Sequence, residues 1–227
     1  MGDTRDILVF DMDGVLVNVS ESYRETIRET VKLFTGQDIS KDLIQEYKNA
    51  GGWNNDWALS QKIVADLGRN VDYATVVAEF QKIFFGTNGT PGLILRERWL
   101  AGDGLLDGLG RRFQMAIFTG RNNEEAGVTL DRFGHNGTFS PVVTDEDVKN
   151  SKPAPDGLFL IMERNPGRKL WYVGDTVDDA RASRAANVSF IGIAGAENPK
   201  REELVALLKA EGAMAVLESI NELESVL

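Results

Sequence analysis

Cysteine is absent from the 227 residues, which excludes disulfides, thiol nucleophiles and thiolate metal centres. Histidine is nearly so: His135 stands alone, too few for a multi-histidine site, and its place between Gly134 and Asn136 reads as a loop. Long apolar runs are missing too, none nearing the ~18 residues that a membrane helix needs. Residues 1–6 (Met-Gly-Asp-Thr-Arg-Asp) contain no apolar signal region, and Asp6 stands where N-myristoylation wants Ser or Thr. The expectation is a cytoplasmic chain with no membrane partner. Positive charge is the scarcer sign, 25 Lys plus Arg against 35 Asp plus Glu, a net −10. Phosphate backbones are held mainly through Lys and Arg, so nucleic acid is not an expected partner. An acidic protein that binds an anion needs a local cation, which directs attention to metals.

The rest of the composition, 42% hydrophobic and 26% charged, is that of an ordinary globular protein, and the length suits one large domain or a core with an insertion. The stretch Ile7-Leu8-Val9-Phe10-Asp11-Met12-Asp13-Gly14 is a short β-prone apolar run that ends in two carboxylates and a glycine. It predicts a strand buried on both faces. Four amphipathic helices follow. The first starts with Ser20 as N-cap, carries Tyr23, Ile27, Val31 and Phe34 at helical spacing, and stops at Gly36. The second covers 40–50, the third carries Leu59, Ile63 and Leu67, and the fourth covers 72–85. Arg24, Arg28 and Lys32, flanked by Glu21, Glu25 and Glu29, read as the solvated face of the first helix.

Beyond the glycine-rich connector Gly86–Gly92 the chain alternates strands (113–118, 142–143, 170–173, 189–194) with helices (122–133, 156–163, 178–186). A second glycine-rich stretch, Gly102–Gly110, lacks the setting of a nucleotide-binding motif and also reads as a connector. The pattern predicts an α/β fold: a Rossmann-like, doubly wound parallel sheet core, 1–17 and 93–227, with an inserted four-helix cap subdomain, 18–92. In such sheets ligands bind at the carboxyl ends of the strands. Those ends carry Asp11 and Asp13; Thr119-Gly120-Arg121; Ser151-Lys152-Pro153; and Gly174-Asp175-Thr176-Val177-Asp178-Asp179. Four of these acids, Asp11, Asp13, Asp175 and Asp179, gathered at one sheet edge with a hydroxyl and a lysine, repel one another without a further cation. Oxygen donors free of His and Cys suit Mg²⁺.

These motifs, in this order, resemble the four motifs of the haloacid dehalogenase superfamily, in the subfamily whose cap sits between the first two. The resemblance spans the whole chain and implies a Mg²⁺-dependent phosphatase acting on a small phosphorylated metabolite through an aspartyl-phosphate intermediate. It implies Asp11 as nucleophile and Asp13 as acid and base, with Thr119, Gly120 and Lys152 holding the phosphoryl group. It places Mg²⁺ on Asp11, the main-chain carbonyl of Asp13 and Asp175, with Asp179 supporting a metal-bound water. Asp13 has no role in carbon–halogen cleavage, which favours phosphoryl transfer. A β-phosphoglucomutase-like phosphomutase is the alternative, and a phospho-accepting receiver-like module a remote one. Asp-Gly-Val-Leu-Val-Asn-Val-Ser and Gly-Gly-Trp-Asn-Asn-Asp-Trp resemble a branch of phosphatases, some members of which are loosely linked to histidinol phosphate; the substrate stays open. The expected assembly is a monomer or homodimer.

Plainer readings stand beside these roles. Thr119 is also a candidate cap for the helix from Asn122, Lys152 a candidate loop charge, and Asp178 and Asp179 suit a helix N-terminus. Substrate selection is expected from Trp53, Asn54, Asn55 and Arg121, although the first three also suit packing and a turn, and Arg121 also suits a surface position.

Overall fold

The computed structural model describes residues 4–227; residues 1–3, part of the expected 1–17 segment, lie outside the described residues. Six strands form the main sheet: β1 (Ile7–Phe10), β2 (Gln114–Phe118), β3 (Val142–Val143), β4 (Leu170–Gly174), β5 (Ser189–Ile193) and β6 (Ala215–Leu217). Their spatial order is β6-β5-β4-β1-β2-β3, and every pairing is parallel. From β1 the chain winds outward through β2 and β3, then returns to the other side for β4, β5 and β6. The direction of winding therefore reverses between β1 and β4, and that switch point is where a doubly wound sheet opens a crevice.

The predicted burial of β1 on both faces holds, for all four residues are fully buried. Leu8 and Phe10 join one apolar cluster while Ile7 and Val9 join the other, against α7 (Asp156–Arg164), α8 (Val177–Ala185) and α9 (Arg201–Ala210). Such a strand has no solvated face, which explains its unbroken apolar run. Each of these side chains contributes about 1.5–3 kcal/mol by leaving water.

The four expected helices are α1 (Tyr23–Thr35), α2 (Lys41–Ala50), α3 (Asp56–Asp66) and α4 (Tyr73–Phe85). Tyr23, Ile27 and Val31 of α1 are buried, and Tyr23 meets Phe84 of α4 with ring centroids 4.3 Å apart. The chain passes between helices and sheet at two adjacent points, where Val17–Asn18 pairs antiparallel with Arg98–Trp99. Gly36 ends α1 in the left-handed conformation, as predicted. Ser20 does not cap α1. Its N–H donates to Asn18 Oδ1 (3.0 Å), extending the turn, and Ser22 takes the N-cap position.

Two glycine-rich stretches are more ordered than connectors. Residues 86–91 form a two-residue hairpin. Gly102–Gly110 contains the start of α5 (Leu105–Arg112), because Leu106 and Leu109 supply a buried stripe that outweighs the poor helix propensity of glycine. The remaining core helix, α6 (Asn123–Arg132), follows β2. Sequence patterns left α9 and β6 unread; they complete one edge of the sheet. Among the described residues no helix is long and apolar enough to cross a membrane.

Candidate active site

Asp11 follows β1 directly, held by its N–H donating to Val173 O of β4 (2.8 Å). The chain then turns sharply. Gly14 adopts a positive φ of 72°, and a Cβ there would collide with the Asp175 carboxylate from the end of β4. Glycine is thus required both for the backbone conformation and for the approach of the two acidic loops. Gly14→Ala is expected to displace Asp175 and to raise the divalent-cation concentration needed to fill the site at least about tenfold. A metal titration checks this; an unchanged midpoint would contradict it.

Lys152 is the cation at the centre of this edge. Its buried Nζ lies 2.8 Å from Asp11 Oδ1 and 2.8 Å from Asp179 Oδ1, over the rings of Phe118 and Tyr172. The loop-charge reading of Lys152 is therefore replaced by a buried ion pair. Burial pushes the Asp11 and Asp175 carboxyls up, with neighbouring acids adding to the rise. The two flanking carboxylates hold Lys152 protonated. Asp11, Asp175 and Asp179 each offer an oxygen within 4.8 Å of the others, and Lys152 pairs with only the first and last of these three carboxylates. Asp175 Oδ1 is buried with no hydrogen-bond partner among the described residues. An all-oxygen donor set, excess negative charge and an orphaned buried carboxylate oxygen together fit a hard divalent cation.

Asp179, expected near the metal, belongs to this group but spends its oxygens elsewhere. Oδ1 accepts from Tyr172 OH (2.6 Å) and pairs with Lys152, while Oδ2 accepts from Thr176 N (3.0 Å) and Thr176 Oγ1 (2.6 Å). Thr176 in turn caps α8, so the helix start, Asp179 and Lys152 form one rigid unit. Asp178 also does more than favour a helix start. Both of its oxygens accept from Gly52 N of the helical insertion (2.8 and 2.9 Å), tying that insertion to the core.

Asp13 faces Arg121. Arg121 Nε donates to Asp13 Oδ1 (2.8 Å), its terminal nitrogens reach Glu97 Oε1 (2.7 Å) and Thr129 Oγ1 (2.6 Å), and Thr129 Oγ1 donates to Glu97 Oε2 (2.8 Å). Arg121 is fully buried and stacks 4.9 Å from the Tyr23 ring. The surface reading of Arg121 is corrected: three side chains from separate segments hold its fork in place. Glu97, the buried counter-charge, was missed because nothing local in the sequence marks it.

Thr119 is buried and accepts a hydrogen bond from Arg121 N (3.2 Å); the α6 cap is Asn122, which forms a capping box with Glu125. Gly120 lies against Asn54 of the loop between α2 and α3, where a Cβ would collide with Asn54 Nδ2. Asn54 and Asn55 both line the cavity above Asp11, and Asn55 also caps α3. Trp53 packs edge-on against Tyr47 and does not line this cavity. Gly120→Ala is expected to hold the helical insertion away from the core and lower kcat/KM at least about tenfold, with Asn54→Gly restoring much of the loss. Steady-state kinetics of the single and double variants decide; loss without rescue would contradict the contact.

The cavity itself is small, about 40 Å³. Its wall includes Arg24 and Lys48, neither anticipated. Arg24 was read with Arg28 and Lys32 as solvated; only the latter two fit, pairing with Glu25 and Asp38. Helical side chains lean toward the N-terminus, and Arg24 sits at the very start of α1, so it leans into the core.

Glu125 also lines the cavity, and burial raises its pKa to about 7. A carboxyl protonated more readily when folded contributes stability at low pH that fades as pH rises from its ordinary 4.5 to about 7. Glu125→Gln is expected to flatten the fall in stability of the metal-free protein across that window. Urea unfolding at pH 5 and pH 8 checks it; identical slopes for the two proteins would contradict it.

A family model described as hydrolase, haloacid dehalogenase-like hydrolase, matches residues 6–187. The imidazoleglycerol-phosphate dehydratase of Phytophthora nicotianae is 35% identical over 195 residues, 82% of this chain, and this chain spans 42% of that protein's length. The phosphorylated carbohydrates phosphatase of Thermotoga maritima is 25% identical over 223 residues, 95% of this chain and 99% of that protein. Among solved structures, a conserved haloacid dehalogenase-like protein of unknown function from Agrobacterium tumefaciens has a TM-score of 0.74 at 21% identity, covering 98% of this chain and 97% of that one.

Proposed function

Because the chain belongs to the haloacid dehalogenase-like hydrolase family, we propose that it is a Mg²⁺-dependent phosphatase that hydrolyses a small phosphate monoester through an aspartyl-phosphate at Asp11. The observation that carries this reading is the Lys152 ammonium shared between Asp11 and Asp179 beside the unpartnered oxygen of Asp175. The family assignment also removes the receiver-like alternative. The 18–92 insertion serves as the cap that selects the substrate.

In this reading Lys152 occupies Asp11 Oδ1 and leaves the other oxygen to attack phosphorus. Attack forms the Asp11–phosphorus bond as the ester oxygen departs with a proton from Asp13. Asp13 then takes a proton from water, whose oxygen displaces Asp11 and yields inorganic phosphate. The two steps need Asp13 in one fixed place in both protonation states, which the Arg121–Glu97–Thr129 network supplies. Thr119 and Gly120 border the phosphoryl group, and Asn54 closes over them. Mg²⁺, when bound by Asp11 and Asp175 with the main-chain carbonyl of Asp13, would neutralise phosphoryl oxygens against the surrounding acids.

Phosphate release from a panel of metabolite monoesters, with Mg²⁺ and with chelator, tests the reading. Metal-dependent release from at least one compound is expected. Isomerisation of a sugar monophosphate activated by a bisphosphate, with no free phosphate, would instead establish the phosphomutase alternative.

A further inference from the structure

The cap wall of the cavity carries a charge pattern that phosphoryl transfer at Asp11 does not use. Lys48, on α2, is 7% exposed, a rare degree of burial for lysine. Its Nζ pairs with Asp56 Oδ1 at 2.5 Å and, among the described residues, otherwise reaches only Asn54 O at 3.5 Å. Arg24, on α1, has a side chain 16% exposed; its nearest carboxylate is the same Asp56 Oδ1, at 4.0 Å, and its guanidinium makes no hydrogen bond among the described residues. Two cations thus face one carboxylate, and Arg24, largely buried, meets it only at the outer limit of an ion pair. That arrangement is costly unless an anion completes it. The core wall cannot be that anion. Asp13 is committed to Arg121, Asp11 to Lys152 and Glu125 to the capping box of α6, and Asp175 lies among the donors that fit a metal.

Taking the phosphatase reading as its basis, we infer that Arg24 and Lys48 form a subsite for a second anionic group on the substrate, a carboxylate or a further phosphate. The enzyme's substrates are then small phosphate esters that carry such a group close to the transferring phosphoryl. Asp56 keeps the pair from trapping free anions too tightly and leaves one net positive charge for the ligand. Asn54 and Asn55 offer neutral hydrogen bonds on the same wall. The small cavity is consistent with a short spacer between the two acidic groups.

The test uses two non-hydrolysable probes, phosphonoacetate and ethylphosphonate, which share the phosphonate and carry a carboxylate and a methyl group respectively. Their binding to the Mg²⁺-loaded wild-type protein is measured by calorimetry. Phosphonoacetate is expected to bind about 10- to 100-fold more tightly. Arg24→Met is expected to bring that ratio close to one. Lys48→Met leaves Asp56 exposed to the loss of its partner, so Lys48→Met/Asp56→Asn is the second variant, with its thermal unfolding recorded alongside; the ratio should fall there too. Equal affinities in the wild type would overturn the inference. So would equal weakening of both probes by Arg24→Met, because the cation would then serve the transferring phosphoryl itself. Hydrolysis of an aryl phosphate with equal probe binding sinks this inference and leaves the phosphatase reading intact. Selective binding of phosphonoacetate without hydrolysis of any ester does the reverse.

Discussion

Asp11→Asn is expected to lower the turnover of a generic aryl phosphate by at least about 10⁴-fold, because the amide cannot form the covalent intermediate and the residual binding groups cannot replace it. The fold should survive. Asp11 is buried at the end of the central strand, asparagine matches its shape, and Lys152 keeps Asp179 as its counter-charge. Removing one of three buried acids also lessens their repulsion, so the metal-free variant should unfold no earlier than the wild type. Turnover and urea unfolding measured together check both halves. A folded variant with wild-type activity would rule out Asp11 as the attacking group.

Lys152→Met should cost both activity and stability. The ammonium is the charge that lets Asp11 and Asp179 lie buried side by side, and it bridges them at 2.8 Å each. Taking one partner from a buried ion pair typically costs about 3–5 kcal/mol, since the other charge is left uncompensated. The sign of the pH effect follows. Without Lys152 the native carboxyls bind protons more readily than the unfolded chain, so the loss should shrink as pH falls and the acids become neutral. Urea unfolding in chelator at pH 5 and pH 8 measures it. Lys152→Arg should not restore the wild type, because the larger guanidinium has to fit between two acids and the Phe118 and Tyr172 rings. A change below about 0.5 kcal/mol at pH 8 would contradict the bridging role.

What could be read from the sequence was local. The four-residue apolar run ending in Asp11, the αL stop at Gly36 and the β-α alternation after residue 113 each carry their signal within one turn or one strand. Chemistry at strand ends was legible for the same reason, since a parallel sheet brings those ends together whatever the intervening chain does. The unread part is tertiary. Arg121 looks like any arginine before a helix until Glu97, Thr129 and Asp13 close around it. Arg24 belongs by spacing to a solvated stripe, and only the position of α1 beside the core turns it inward. Lys48 pairs with Asp56 across a loop that includes Gly51 and Gly52, both at positive φ. Asp178 suits a helix N-terminus so well that its link to Gly52 leaves no separate mark. In Gly102–Gly110, glycine content pointed to a loop, but the spacing of Leu106 and Leu109 prevailed.

Covalent phosphorylation of Asp11 is open to direct observation. Rapid acid quench of the Mg²⁺-loaded enzyme during turnover, followed by peptide mass spectrometry, tests it most directly. A phosphate on the peptide containing Asp11, lost on alkaline treatment and absent from Asp11→Asn, is the predicted result. Hydrolysis at full rate with no phosphopeptide at any quench time would contradict it.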